Sequence, residues 1–285
     1  MTGVCLSRSR ACRRVGLLVL LCCTFLAANP GVALDVPVVF VQEPKFFDAQ
    51  ARRAYPGAPL SGSRIVTLSP DGALLELTDA FASAADPCVS FDGEQILFSA
   101  QQYEGDPWDI WEMPVVGGSA VRITQGLGDC RAPAYLPLAA VDSPNFSNKV
   151  RWITFTSTAA GMQNDQADGP LTSLYAMSLV PLYGRGTVLW RTTLNLGGDI
   201  DPTVLHSDGR VLFAGRQRGA YGLMSISWAG ENLNTFFGSH TGGVSQVSPC
   251  EMPDRTVVFI ETSDSHSDGG GHLVRGSLRR PLHSR

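Results

Sequence analysis

One motif recurs along the chain and limits what the chain can become. Asp86-Pro87-Cys88-Val89-Ser90-Phe91-Asp92-Gly93-Glu94-Gln95-Ile96-Leu97-Phe98 is matched by Asp201-Pro202 through Asp208-Gly209 to Val211-Leu212-Phe213. Both read Asp-Pro, a short run, Asp-Gly, then an aliphatic pair and Phe. Ser248-Pro249-Cys250 leading to Val257-Val258-Phe259 is a degenerate third copy. Ala132-Pro133-Ala134-Tyr135, with its strand delayed to Trp152-Ile153-Thr154-Phe155, is a fourth. The prolines are spaced 46, 69 and 47 residues apart. Self-similarity at such a period marks a repeat architecture in which single units cannot bury their apolar faces alone.

Each copy has a simple local reading. The residues after Asp-Pro are expected to open a strand. Asp-Gly makes the tight turn, since Gly accepts positive φ and Asp bonds its own backbone. The triplet ending in Phe is a second, buried strand. Alternating segments supply a third: Trp108–Met113, Leu174–Leu179 and Leu223–Trp228. Ala120–Thr124 and Thr187–Thr193 supply an outer fourth. Four antiparallel strands per repeat predict an all-β fold, a β-propeller with about five blades. The blades fall near 36–78, 83–124, 129–193, 198–240 and 243–282, within one domain over 34–285. Nothing obvious supplies the innermost strand of the first blade. The ring therefore either closes with five blades or is cut from a six- or seven-bladed one; truncation is the favoured alternative. The insertion Leu138–Lys149 and the Gly-rich loop Ala159–Pro170 are expected to project from a rim.

Residues 1–33 read as an export signal. Arg8, Arg10, Arg13 and Arg14 precede the apolar run Leu17–Ala28, and Gly31-Val32-Ala33 offers small residues for cleavage. The run is about twelve residues, shorter than the roughly 20 of a membrane span. Arg13-Arg14 loosely fits a twin-arginine signal. Cys22 and Cys23 lack the small preceding residue of a lipidation site, so lipoprotein anchoring is disfavoured. A periplasmic or secreted protein follows, with no membrane span after cleavage. The chain carries 22 Lys+Arg against 26 Asp+Glu. Losing the four signal arginines leaves 18 basic residues, a more acidic mature chain that disfavours nucleic acid. Of seven Cys, only Cys88, Cys130 and Cys250 remain.

The repeat resembles the TolB-like, WD-type propellers of exported bacterial proteins. Val38-Val39-Phe40-Val41-Gln42, Ile96-Leu97-Phe98-Ser99, Ala134-Tyr135-Leu136-Pro137 with Ile153–Thr158, the Asp208-Gly209-Arg210 strand and Phe236-Phe237-Gly238-Ser239-His240 are more closely similar to the propeller region of hydrazine synthase alpha subunit-like proteins. The resemblance covers roughly 36–282. In that family a middle domain and a haem-bearing domain follow the propeller and carry the redox chemistry. The chain has neither, and no Cys-x-x-Cys-His. The resemblance thus implies fold and export, without hydrazine synthesis.

The chemistry-bearing candidates are few. Gly-x-Ser-x-Gly, His-Glu-x-x-His and phosphate-binding glycine loops are missing from the sequence. Asp86, Asp129 and Asp201 open successive blades and form a candidate acidic ring at a channel mouth, with His206 nearby; such a ring suits a cation or a basic peptide. The plainer reading is a turn residue that caps strand entry. His266, Asp268 and His272 offer imidazole and carboxylate groups to a metal, against a plain solvated hairpin. Cys88 and Cys250 share a repeat position and read as small buried hydrophobes. Trp108, Trp111, Tyr175, Tyr221 and Trp228 are expected to fill the wedges between blades. The expected function is a non-catalytic exported propeller that binds another exported protein or scaffolds a complex, with no cofactor. The alternatives are a component of a hydrazine synthase-like redox enzyme and a truncated gene product.

Overall fold

The computed structural model describes residues 35–44, 61–137, 150–181, 186–237, 244–263 and 271–279. The segment read as an export signal, the insertion at 138–149 and the segment holding His266 and Asp268 lie outside them. The described secondary structure is eighteen strands without a helix. No described helix is therefore long and apolar enough to cross a membrane.

The strands form five antiparallel sheets. The first has the order β1 (Val38–Gln42), β2 (Arg64–Leu68), β3 (Leu74–Glu76). The second is β4 (Ser83–Val89), β5 (Gln95–Gln101), β6 (Asp109–Pro114), β7 (Val121–Arg122). The third is β8 (Cys130–Leu136), β9 (Trp152–Ser157), β10 (Ser173–Ser178), β11 (Leu189–Arg191). The fourth is β12 (Asp199–Val204), β13 (Val211–Gln217), β14 (Ala220–Ile226), β15 (Asn234–Phe237). The fifth is β16 (Val244–Glu251), β17 (Thr256–Ser263), β18 (His272–Ser277). This is a five-bladed β-propeller. Of the described residues, 35–38 and Leu68–Leu74 fall in a small unit, which includes a turn closed by the Gly72 N–H on the Ser69 carbonyl at 2.9 Å. Val39–Thr67 and Leu75–Arg285 form the large one.

The Thr that ends an outer strand has a structural task. Thr78, Thr124 and Thr193 each accept a hydrogen bond from a third-strand backbone N–H, of Ile65, Ile110 and Leu174, at 2.9, 2.8 and 3.0 Å. This shared bond aligns the first blade with the others. Its β1 is a second strand, β2 a third and β3 a fourth. Among the described residues the first blade has no innermost strand and the fifth has no outer one.

Packing between blades is equally regular. Each of four apolar clusters holds a second-strand Phe of one blade together with a third-strand aliphatic residue of the blade before it. The pairs are Phe98 with Ile65, Phe155 with Ile110, Phe213 with Leu174, and Phe259 with Leu223. All eight side chains are at most 1% exposed. Two-sided burial explains why these strands read as continuous apolar runs. Trp111 and Tyr175 fill wedges as expected. Trp228 joins Trp152 and Trp190, with centroids 4.6 to 5.7 Å apart. Tyr221 packs against the cluster between blades four and five and also lines a cavity described below, whereas Trp108 lines that cavity without joining an apolar cluster among the described residues.

The Asp-Pro pairs depart from expectation in a second way. They do not open strands but interrupt them. In the innermost strands the register slips between Ala85 and Cys88, Arg131 and Ala134, Ile200 and Thr203, and Val247 and Cys250. Each slip is a bulge of two residues, Asp86-Pro87, Ala132-Pro133, Asp201-Pro202 and Ser248-Pro249. The residue before each proline is left-handed, with φ of 55°, 50°, 52° and 52°. Proline has no N–H to give a ladder, so a sheet tolerates it at an edge strand or a bulge, and these sites are both.

The interblade pairing yields a stability prediction. Leu223→Ala should cost about 2–5 kcal/mol in urea unfolding, the range for a buried leucine. Leu273, its counterpart in the fifth blade, is 78% exposed. Leu273→Ala should stay within about 0.5 kcal/mol of the parent, as exposed substitutions do.

Candidate functional site

The innermost strands bring the bulges together near the propeller axis. A left-handed residue withdraws its N–H from its own ladder, and a carboxylate of the preceding blade takes it. The Ala132 N–H donates to Asp86 Oδ2 at 3.0 Å. The Ser248 N–H and hydroxyl donate to Asp201 Oδ2 at 3.0 and 3.1 Å. Asp86 and Asp201 are thus clamps between blades two and three and between blades four and five. Asp86 also receives Arg131, whose Nε and second nitrogen donate to its two oxygens at 2.7 and 3.1 Å.

The two carboxyl groups titrate in opposite directions. Burial alone would raise Asp86, but the charge and hydrogen bonds of Arg131 outweigh it, and the group sits below its ordinary value. Asp201 is raised to about 6, first by burial and then by the negative charge of Asp86. The bonds from Ser248 and the charge of Arg131 offset only part of this.

Asp129 is not part of this ring. It lies three residues before the third-blade bulge, where Ala132 occupies the Asp position. It is exposed, and its Oδ1 accepts the Trp108 N–H at 3.0 Å while its own N–H donates to Thr158 Oγ1 at 2.9 Å. His206 lies at the opposite end of β12, in the turn into β13. Its ring meets Phe91 of the second blade edge-on at 5.5 Å, and its N–H donates to Glu251. The fold therefore brings Asp86 and Asp201 together and leaves Asp129 and His206 at different ends. His272, on β18, pairs in register with Glu261 on β17. Among the described residues no group of three His, Cys, Asp or Glu side chains is placed to hold a metal.

Asp129 instead lines a cavity of about 270 Å³ shared by blades two, three and four. One wall carries Trp108 and Arg131, with the guanidinium 4.6 Å from the indole centroid. Arg216 and Tyr221 also line it, 6.0 Å apart on the same measure. Loop 159–170 forms another side and does not project from a rim. The Asp165 N–H donates to the Leu196 carbonyl at 2.9 Å. Asp168 accepts both terminal nitrogens of Arg216 at 2.9 and 2.7 Å, and Asn164 donates to Asp168 at 2.7 Å. Those bonds, Arg216 foremost, lower Asp168 to about 2. Burial pushes Tyr221 up to about 12, so it is a neutral hydroxyl at physiological pH.

Sequence reasoning passed over Arg131, Arg216 and Asp168. Arg131 had a detectable signal: it is the one charged residue in the inner-strand run Cys130-Arg131-Ala132-Pro133-Ala134-Tyr135-Leu136. Asp168 had none, because nothing local announces that its loop folds onto the next blade.

Known structures share this fold. TolB of Acinetobacter baumannii superposes with a TM-score of 0.58 at 13% identity, covering 98% of this chain and 59% of that one. This chain has the fold of a TolB-like β-propeller. The propeller also matches solved Kuenenia stuttgartiensis hydrazine synthase, with a TM-score of 0.75 at 24% identity over 87% of this chain and 38% of that one. In sequence it is 25% identical over 293 aligned positions to hydrazine synthase subunit alpha of the same organism, across 86% of this chain. It spans only 36% of that protein's length. No model of a protein family matches the sequence. The residues present do not fit a covalently held haem: Cys88, Cys130 and Cys250 are isolated free thiols, and no Cys-x-x-Cys-His occurs.

The clamps carry a pH signature. A carboxyl raised in the folded state binds its proton more tightly there than in the unfolded chain. Its contribution is complete below the unfolded value of 3.8 and is lost as pH rises to about 6. Asp199, raised to about 6 mainly by burial, acts in the same direction. Asp201→Asn should flatten the fall in stability between about pH 4 and 6, as followed by melting temperature. Asp86→Asn should cost about 3 kcal/mol at pH 7, because Arg131 loses its counter-charge.

Proposed function

We propose that the chain is an exported, non-catalytic propeller module that binds a segment of another exported protein at the cavity shared by blades two to four. The observation that carries this reading is how the cavity's charges are committed. Arg131 is clamped to Asp86 and Arg216 to Asp168, so both cations serve to fix the walls. Asp129 keeps its second oxygen exposed at the mouth, in a lining with two aromatic side chains. A basic side chain offered by a partner suits an uncommitted carboxylate flanked by Trp108 and Tyr221. Loops from several blades meet there, and loops of one propeller face are where such folds place recognition. The basic n-region and apolar run of residues 1–33 support export to the periplasm or beyond.

The similarity to hydrazine synthase subunit alpha favours a second reading, in which the module serves a redox assembly whose haem-bearing parts belong to another chain. One experiment separates the two. The tagged full chain is recovered from the exported fraction of its own cells, with and without Asp129→Lys. The site is exposed and the substitution removes one hydrogen bond, from the Trp108 N–H, so the chain should stay folded with melting lowered by a few degrees at most. The proposal predicts a colourless stoichiometric complex with one exported protein, reduced at least tenfold by Asp129→Lys. A haem-bearing complex that ignores Asp129→Lys supports the second reading. A chain that stays monomeric contradicts both.

A further inference from the structure

A second cavity, of about 390 Å³, lies between blades three and four. Phe213, Met224 and Ile226 give it an apolar floor, on the face that blade four turns to blade three. Leu194 and Leu233 also line it and are exposed, so the cavity opens to solvent beside them. At its floor stands a carboxyl group, that of Asp199, which is 0% exposed.

The repeat does not call for an acid there. Asp199 pairs with Gly215, one ladder step before the pair that opens the bulge. At the same step Ala84 pairs with Ala100, Cys130 with Ser157 and Gln246 with Glu261. Ala84, Cys130 and Gln246 are as fully buried as Asp199, and none is ionisable to an anion at neutral pH in the way a carboxyl is. Its partner Gly215 keeps the floor clear. A Cβ there would stand 2.7 Å from Met224 Sδ and 3.2 Å from Asp199 Oδ1.

The carboxyl is only half satisfied. Asp199 Oδ1 accepts the Asn195 side-chain amide at 2.9 Å. Asp199 Oδ2 has no hydrogen-bond partner, and neither does Thr192 Oγ1, which belongs to the same cavity. Arg191, the cation whose charge acts on Asp199, gives its Nε to the Thr193 carbonyl at 2.8 Å. Burial raises the carboxyl to about 6, and Thr193, Asn195 and Arg191 offset only part of this. At pH 7.5 it is therefore an anion with one oxygen unbonded. A buried charge is costly unless it is paired.

We propose that this cavity binds a small alkylammonium, a primary amine with a compact apolar body. Its N–H groups meet Asp199 Oδ2 and Thr192 Oγ1, and its hydrocarbon lies on Phe213, Met224 and Ile226. The volume falls at the small end of ligand pockets, roughly 300–1,000 Å³. One carboxyl among apolar side chains does not suit a hard divalent cation, which takes about six or more oxygen ligands. The site is separate from the cavity of blades two to four and does not rest on the protein-binding reading.

The test titrates the full chain, recovered from the exported fraction, with n-hexylammonium chloride at pH 7.5 by calorimetry. 1-Hexanol is the uncharged comparison, and Nα-acetyl-lysine N-methylamide stands for a lysine offered by a partner protein. The proposal expects saturable one-to-one binding of hexylammonium, at least tenfold tighter than that of either comparison. Asp199→Asn keeps an oxygen for Asn195 and should lower hexylammonium affinity at least tenfold, to the level of hexanol. Leu233→Arg, at the exposed mouth, sets a cation beside the entrance and should lower it at least threefold with melting unchanged. Hexylammonium that does not saturate, that binds no better than hexanol, or that ignores Asp199→Asn would overturn the proposal. Tighter binding of the lysine derivative would also overturn it, in favour of a partner's side chain. If Asp199→Asn melts far below the parent, Leu233→Arg decides in its place, and affinity unmoved by that variant overturns the site.

Discussion

No blade of this chain can bury its two faces by itself. A single antiparallel sheet with apolar residues on both sides is stable only between two neighbours. The contact of a second-strand Phe with an aliphatic residue of the blade before it is the unit that meets this need. It repeats four times, with little variation beyond Ile for Leu. The second-strand runs ending in Phe, the aliphatic third strands and the spacing of the repeats all follow from it.

The bulges serve the same end at the axis. Innermost strands converge there, and parallel rows of unpaired backbone groups would be left facing a narrow channel. A left-handed residue before proline turns one N–H out of the ladder. An Asp on the preceding blade receives it. Left-handed non-glycine residues carry a cost on the order of 1–3 kcal/mol, and the clamp bonds offset it. Where Ala132 replaces Asp in blade three, the site still donates its N–H to Asp86 and Ser99 but has no carboxylate to offer blade four. Arg131 stands next to that gap and reaches back to Asp86. The acidic axis is therefore mainly an assembly device, and the open polar cavity lies beside it, where Asp129 projects.

Much of this was legible in the sequence. The Asp-Pro, Asp-Gly and Phe positions named the repeat. Their spacing placed the blades. The bulge was hidden because Asp-Pro looks like a strand opening when read locally, and only the register slip shows that the strand has already begun at Ser83, Cys130, Asp199 and Val244. The cavity was hidden for another reason. It depends on loop 159–170 crossing to Arg216, a contact 48 residues apart that no local pattern encodes. The burial assigned to Cys250 failed for a third reason. The repeat position is the same as that of Cys88, but among the described residues no strand packs on its far side.

Thiol labelling tests the coverage argument most directly. The native full chain is treated with N-ethylmaleimide and the modified cysteines are identified by peptide mapping, before and after unfolding in urea. The account predicts rapid native modification of Cys250, with Cys88 and Cys130 modified only on unfolding. Protection of Cys250 to the same degree as Cys88 would mean that another part of the chain covers the fifth blade, and the central claim would fail.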